Sequence, residues 1–167
     1  LLADKMSMIA NHGQSARYYH DIVGCNSRLD SIQAAILNIK LKKLDQYNIA
    51  RQKVATYYNE AFASIKEIIT PTQANYSSHV YHQYTIQLKG VNRASLMEHL
   101  NAKDIPCMIY YPVPGHLQKM FGEQKNNHWH LPITDSLTPC VCSIPIHTEM
   151  DETQLAYIVE GVKSFFN

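Results

Sequence analysis

Between residues 28 and 64, apolar side chains recur at three- and four-residue steps. Leu29, Ile32, Ile36 and Ile39 form one row, and Leu37, Leu41 and Leu44 a second. Val54, Tyr57, Tyr58, Ala61 and Phe62 carry the pattern on. This spacing gathers the apolar residues on one face of a helix. A typical globular helix has about eleven or twelve residues, so a run this long is expected to kink, near residues 42–46. A helix of this kind can join a larger body to a smaller lobe. Its start is marked by Ser27-Arg28-Leu29-Asp30, where a Ser followed three residues later by an acid has the spacing of a capping box.

Leu2, Met6 and Ile9 stand at helical spacing, and Asn11-His12-Gly13 ends that helix. Residues 13–27 are polar and aromatic without a period and read as a loop. Val80–Leu88 alternates and is rich in Tyr, Thr and Ile, which predicts a strand. Cys107–Tyr111 and Val141–Ile144 read as two more. Asn92 caps a short helix to Leu100, His116–Phe121 is a short helix at best, and Thr134–Pro139 reads as another. Asp151-Glu152-Thr153-Gln154 opens the clearest amphipathic helix, with Leu155, Ile158, Val159, Val162 and Phe166 on one face. The order predicts an α/β chain with a small α+β lobe, a three-stranded sheet covered by helices. Its expected parts are residues 1–27, a connecting helix over 28–64, and a small domain over 65–167.

With 167 residues, 46% of them apolar and 17% charged, the chain has material for a core without disulfides or metal. Its net charge of +1 excludes nucleic-acid binding driven by a large uniform positive charge and gives no general pull toward acidic membranes. No apolar run approaches a membrane span, and the opening Leu1-Leu2-Ala3-Asp4-Lys5 lacks the layout of a signal peptide. The start without Met suggests that it is not a natural beginning. Cys25, Cys107, Cys140 and Cys142 are scattered and are expected to be reduced thiols of a cytoplasmic protein.

Gly24-Cys25-Asn26-Ser27-Arg28-Leu29-Asp30 places an amide and a guanidinium at an expected helix start, where free N–H groups attract anions. On the residues alone, the favoured reading is an ordinary cap with a surface Arg, since caps are common. Tyr110-Tyr111-Pro112-Val113-Pro114-Gly115-His116 turns a strand end sharply and presents two aromatic rings at a rim, or else core aromatics beside a rigid turn. His128-Trp129-His130, Cys140-Val141-Cys142 and His147 hold zinc-capable atoms, but the C-x-C spacing is not that of the usual zinc pair, and no metal is expected. There is no G-x-S-x-G, P-loop or G-x-G-x-x-G. Judged on its residues alone, the chain names no reaction.

Several blocks nevertheless match a known family in order. His12-Gly13-Gln14, Arg17-Tyr18-Tyr19-His20 and Asn26-x-Arg28-Leu29-Asp30-Ser31-Ile32-Gln33-Ala34-Ala35-Ile36-Leu37 come first. Tyr81-His82-Gln83-Tyr84, Tyr111-Pro112-x-Pro114-x-His116-Leu117-Gln118, Leu131-Pro132 and Ser143-Ile144-Pro145-Ile146-His147-Thr148-Glu149 follow. With these blocks the chain resembles the DegT/DnrJ/StrS family of sugar aminotransferases across nearly its whole length.

The resemblance implies the C-terminal part of a pyridoxal-phosphate enzyme with the aspartate-aminotransferase fold, moving an amino group from a donor such as glutamate to a nucleotide-linked keto-sugar. It implies a homodimer with shared active sites. Asn26 would reach the partner's cofactor phosphate, and Arg28 would sit beside it near the nucleotide-sugar, which favours the anion-site reading. Tyr110 and Tyr111 match a loop that touches the sugar nucleotide, though the family often has His where Tyr110 stands. His116 is a further candidate of that rim, and His147 looks like a turn residue. No segment matches the motif of the family's cofactor lysine, which is expected upstream of residue 1, so no catalytic residue is assigned and the chain alone is expected to be inactive. Some relatives act as sugar dehydratases. A binding module without catalysis and a dimer-only structural role are the readings from other classes.

Overall fold

The computed structural model describes residues 1–118 and 130–167. It contains two compact units, residues 1–44 and 45–167.

In the first unit, helix α1 (Leu2–Ala10) precedes a small hairpin of β1 (Gln14–Ala16) and β2 (Tyr19–His20). Gln14 pairs with His20 and Ala16 with Tyr19. The segment expected to be a loop thus carries two strands. They are two and three residues long and bury no side chain, so no alternation marks them in the sequence. Helix α2 (Ser31–Leu41) is capped by Asp30, whose carboxylate accepts from the Gln33 amide at 2.8 Å. The cap is therefore Asp30 and not Ser27. Asp30-x-x-Gln33 has cap spacing too, and the Asp side chain is the one that reaches the third helical amide. Neither α1 nor α2 buries a residue.

The helical run breaks at Lys42-Lys43, and α3 runs from Leu44 to Phe62. Val54, Ala55, Tyr58 and Phe62 are its buried residues. In the second unit, β3 (Ile68–Ile69), β4 (Tyr84–Leu88) and β5 (Val141–Ile144) form an antiparallel sheet with β4 in the middle. The three strands expected from the sequence are not quite these. Ile68–Ile69 supplies one edge, and Cys107–Tyr111 is reduced to a single bridge, Met108 opposite Ser143. Pro106 and Pro112 flank that segment and offer no N–H, which bounds the stretch available for pairing. The remaining elements are α4 (Arg93–Asn101), a 3-10 turn at Gly115–Leu117, α5 (Pro132–Leu137) and α6 (Glu152–Phe166). The expected helix over 116–121 is this short turn as far as Gln118; its remainder lies outside the described residues.

Alternation on β4 divides the sheet into two faces. Tyr84, Ile86 and Leu88 join Cys142 and Ile144 in a core with Tyr58, Phe62, Leu96, Leu100, Ile105 and Val162. Tyr58 and Tyr84 meet edge to face, with ring centroids 5.0 Å apart. Burial is tolerated because each hydroxyl has an acceptor: Tyr58 donates to the Pro145 carbonyl at 2.9 Å and Tyr84 to Asn59 Oδ1 at 2.6 Å. Burial raises both phenol pKa values above the ordinary tyrosine value. Thr85 and Ser143 pair on the other face. Arg93, on α4, donates to the carbonyls of Thr138 and Val141 and so fixes the entry into β5.

Candidate functional site

In the first unit, a backbone crossing delivers Asn26 and Arg28. Gly13 has φ +74°, and a β-carbon there would collide with the Ile22 carbonyl oxygen at 1.7 Å. A β-carbon on Gly24 would lie 2.1 Å from the Gly13 nitrogen. Only glycine fits at both places. The crossing lets Cys25 N reach Ile9 O at 2.8 Å and Ser27 N reach Ala10 O at 2.9 Å, with Asn26 opposite Asn11. Arg28 Nε then donates to Asn26 Oδ1 at 3.0 Å.

Both side chains are exposed. Among the described residues, the Nη groups of Arg28 and the Nδ2 of Asn26 have no hydrogen-bond partner. The pair therefore offers a planar guanidinium face and an amide N–H to an oxyanion. These donors come from side chains on the segment leading to α2. Arg28 stands two residues before the Asp30 cap, and the Asp30 carboxylate occupies the helix start, so the sequence expectation of an anion at the helix amides is corrected.

In the second unit, Tyr110 and Tyr111 follow the Met108 bridge and line a cavity of about 200 Å³ with Gln83, Thr85, Thr134 and Ser143. A second cavity of about 230 Å³ shares Gln83, Met108, Tyr110 and Ser143 and adds His82 and His147. His147 Nδ1 accepts from the Glu149 amide at 3.2 Å, the bond of a turn residue. His116 lines neither cavity. Its Nε2 lies 3.4 Å from Asp135 Oδ1, on α5. The structure thus brings Tyr110 and Tyr111 together and turns His116 elsewhere. Sequence reasoning missed Gln83, Thr85 and Ser143 as cavity residues. Their signal was the alternation of β4 and β5, whose second face is polar where a doubly covered sheet would be apolar.

Below this face, a hydrogen bond with Cys142 holds the Cys107 thiol pKa below the usual range, while that bond and burial push Cys142 up. The described residues contain no His, Cys, Asp or Glu cluster able to hold a metal. His128 and Trp129 of the candidate metal set lie outside the described residues. No helix among the described residues is long and apolar enough to cross a membrane.

Residues 1–163 match the model of the DegT/DnrJ/EryC1/StrS aminotransferase family. The chain is 37% identical over 169 residues to a "Pleiotropic regulatory protein" of Geobacillus stearothermophilus, covering 99% of this chain and 44% of that protein. It is 38% identical over 162 residues to a UDP-N-acetyl-3-dehydro-alpha-D-glucosamine 3-aminotransferase of Acidithiobacillus ferrooxidans, covering 97% and 42%. Among solved structures, DesV of S. venezuelae superposes with a TM-score of 0.87 at 32% identity, covering 98% of this chain and 44% of that one. The chain spans less than half the length of the curated relatives it matches.

Proposed function

The chain belongs to the DegT/DnrJ/EryC1/StrS aminotransferase family, and on that premise we propose that it is the C-terminal part of a pyridoxal-phosphate-dependent enzyme that aminates a nucleotide-linked keto-sugar. The observation that carries this reading is the Asn26–Arg28 pair, set by the Gly13–Gly24 crossing in a block that the family resemblance includes.

The family uses pyridoxal phosphate. When bound, that group takes an amino group from one substrate and hands it to the carbonyl of the next. The residues present fit its phosphate. Arg28 keeps its Nη donors, Asn26 keeps Nδ2, and their mutual bond fixes the guanidinium plane before an anion arrives. In the assembly we propose, a homodimer, Asn26 reaches the partner's cofactor phosphate and Arg28 sits beside it, near the nucleotide-sugar. Tyr110 and Tyr111 offer exposed rings to that substrate. His116, held by Asp135, stays at the edge of this set.

No lysine here matches the family's cofactor lysine, so these residues alone are proposed not to transaminate. The enzyme that contains this chain is to be given glutamate and UDP- or dTDP-linked 3-keto-sugars, with release of 2-oxoglutarate followed by a coupled dehydrogenase. An amino-sugar product supports the reading. Loss of sugar hydroxyl without consumption of glutamate would show the dehydratase variant, and no turnover with any of these substrates would leave a binding module. The isolated chain mixed with pyridoxal phosphate should show no visible absorbance from covalently held cofactor.

A further inference from the structure

On the face of the sheet opposite Tyr84, Ile86 and Leu88, Ser143 is a buried polar residue, 5% exposed. Its Oγ shares a hydrogen bond of 2.7 Å with Thr85 Oγ1 across the β4–β5 pair. One hydroxyl of the two donates to the other, which leaves one hydroxyl hydrogen and several lone pairs for a third group. Gln83 stands two residues before Thr85, on the same face. Its carboxamide has no hydrogen-bond partner among the described residues, and it lines both cavities together with Ser143 and Tyr110.

The chain distorts its backbone to start β4 here. Tyr81 is buried, 4% exposed, with φ +45°, a conformation that a bulky residue adopts only under constraint. The constraint is His79, whose Nδ1 accepts from the Tyr81 amide at 2.9 Å and whose ring lies 4.1 Å from the Tyr81 ring. Tyr81 itself packs into the core, and its neighbour His82 lines the second cavity.

Among the described residues, no Lys, Arg, Asp or Glu lines either cavity, and the two histidines, His82 and His147, belong to the second one. In the first cavity a phosphate or carboxylate would find no countercharge among these residues, whereas hydroxyls, a carboxamide and aromatic rings match a neutral polyol.

We infer that Gln83, Thr85 and Ser143 form a subsite for the uncharged pyranose ring of a sugar, with Gln83 and the hydroxyl pair meeting its hydroxyl or acetamido groups and Tyr110 walling it. The inference deepens the nucleotide-sugar reading and rests on it for the identity of the natural ligand. It makes the sheet face a determinant of which sugar is accepted, because a ring lacking the matching hydroxyl would leave these groups unpaired.

The test is an NMR titration of the isotope-labelled chain with N-acetylglucosamine and, separately, with inorganic phosphate. The sugar should produce saturable shifts at the amides of Gln83, Thr85 and Ser143, and phosphate should not. Gln83→Leu should weaken the sugar by about five-fold, as expected for one neutral hydrogen bond. Thr85→Val, of nearly the same shape, should do likewise while keeping the spectrum of a folded sheet. Unmoved amides at these three positions, equal shifts with phosphate, or unchanged affinity in both variants would overturn the subsite. Amino transfer from glutamate is read separately, on the enzyme that contains this chain. Sugar shifts without amino transfer keep the subsite and lose the aminotransferase, and transfer without these shifts does the reverse.

Discussion

A β-carbon on Gly24 would stand 2.1 Å from the backbone nitrogen of Gly13. Backbone meets backbone there, so no side-chain rotation can relieve a substitution. Gly24→Ala is expected to open the crossing and release the bonds from Cys25 N to Ile9 O and from Ser27 N to Ala10 O. Overpacking of this sort costs about 1–3 kcal/mol, felt locally because the first unit buries so little. Hydrogen exchange read by NMR should be at least about ten-fold faster at the Cys25 and Ser27 amides, with the second unit unchanged. Exchange at the parent rate in the variant would refute the crossing as the element that positions Asn26 and Arg28.

The amphipathic elements were legible because burial wrote a period into them. α6 shows it plainly, and so does β4, where Tyr84, Ile86 and Leu88 alternate with polar residues. What escaped had no such imprint. The β1–β2 hairpin buries nothing, and Ile68–Ile69 is too short to alternate. Cys107–Tyr111 looks like a strand by composition, yet between its flanking prolines it makes one bridge. The candidate site divided in the same way. Asn26, Arg28, Tyr110 and Tyr111 stand in ordered blocks visible to the eye. Gln83 and Ser143 stand in such blocks too, but they meet only when β4 and β5 pair in register, across 58 positions in the Thr85–Ser143 case, a pairing that no local pattern specifies.

The two buried phenols predict a loss of stability in alkali. An unfolded tyrosine ionises near pH 10, whereas Tyr58 and Tyr84 hold their protons to higher pH because burial disfavours the phenolate. Above about pH 10 the unfolded chain therefore binds fewer protons than the folded one, and stability falls as pH rises. The contribution is complete below that pH. Each phenol accounts for about 1.4 kcal/mol per pH unit until it ionises in the folded state. Urea denaturation between neutral pH and pH 11 should show this decline, with a shallower slope in Tyr84→Phe. An equal slope in that variant would remove Tyr84 from the cause.

The thiol pair predicts an order of reactivity. The hydrogen bond from Cys142 stabilises the Cys107 thiolate, and the same bond together with burial keeps Cys142 protonated. With limiting iodoacetamide at mildly alkaline pH, peptide mass spectrometry should find Cys107 carbamidomethylated well before Cys142, which is 2% exposed. Cys142→Ala removes the donor, so the pH midpoint for Cys107 alkylation should rise toward that of an ordinary thiol. Equal labelling of the two, or an unmoved midpoint, would exclude the pairing.

Helix α2 presents apolar surface to water along its length. On one face Ile32 is 75% exposed, Ile36 50% and Ile39 68%, and the helix buries no residue. Contiguous apolar surface of this kind associates in aqueous solution, and two copies of one face meet most simply about a two-fold axis. Sedimentation velocity of the 167-residue chain should show a weight-average mass that rises with concentration. The pair Ile32→Lys and Ile39→Lys should weaken association at least about ten-fold, the scale expected when two half-buried isoleucines are lost from an interface. The unfolding midpoint of the second unit should not move, since neither residue belongs to its core. A single monomer species at every concentration would show that α2 stays solvated and that this face does not drive association of the chain.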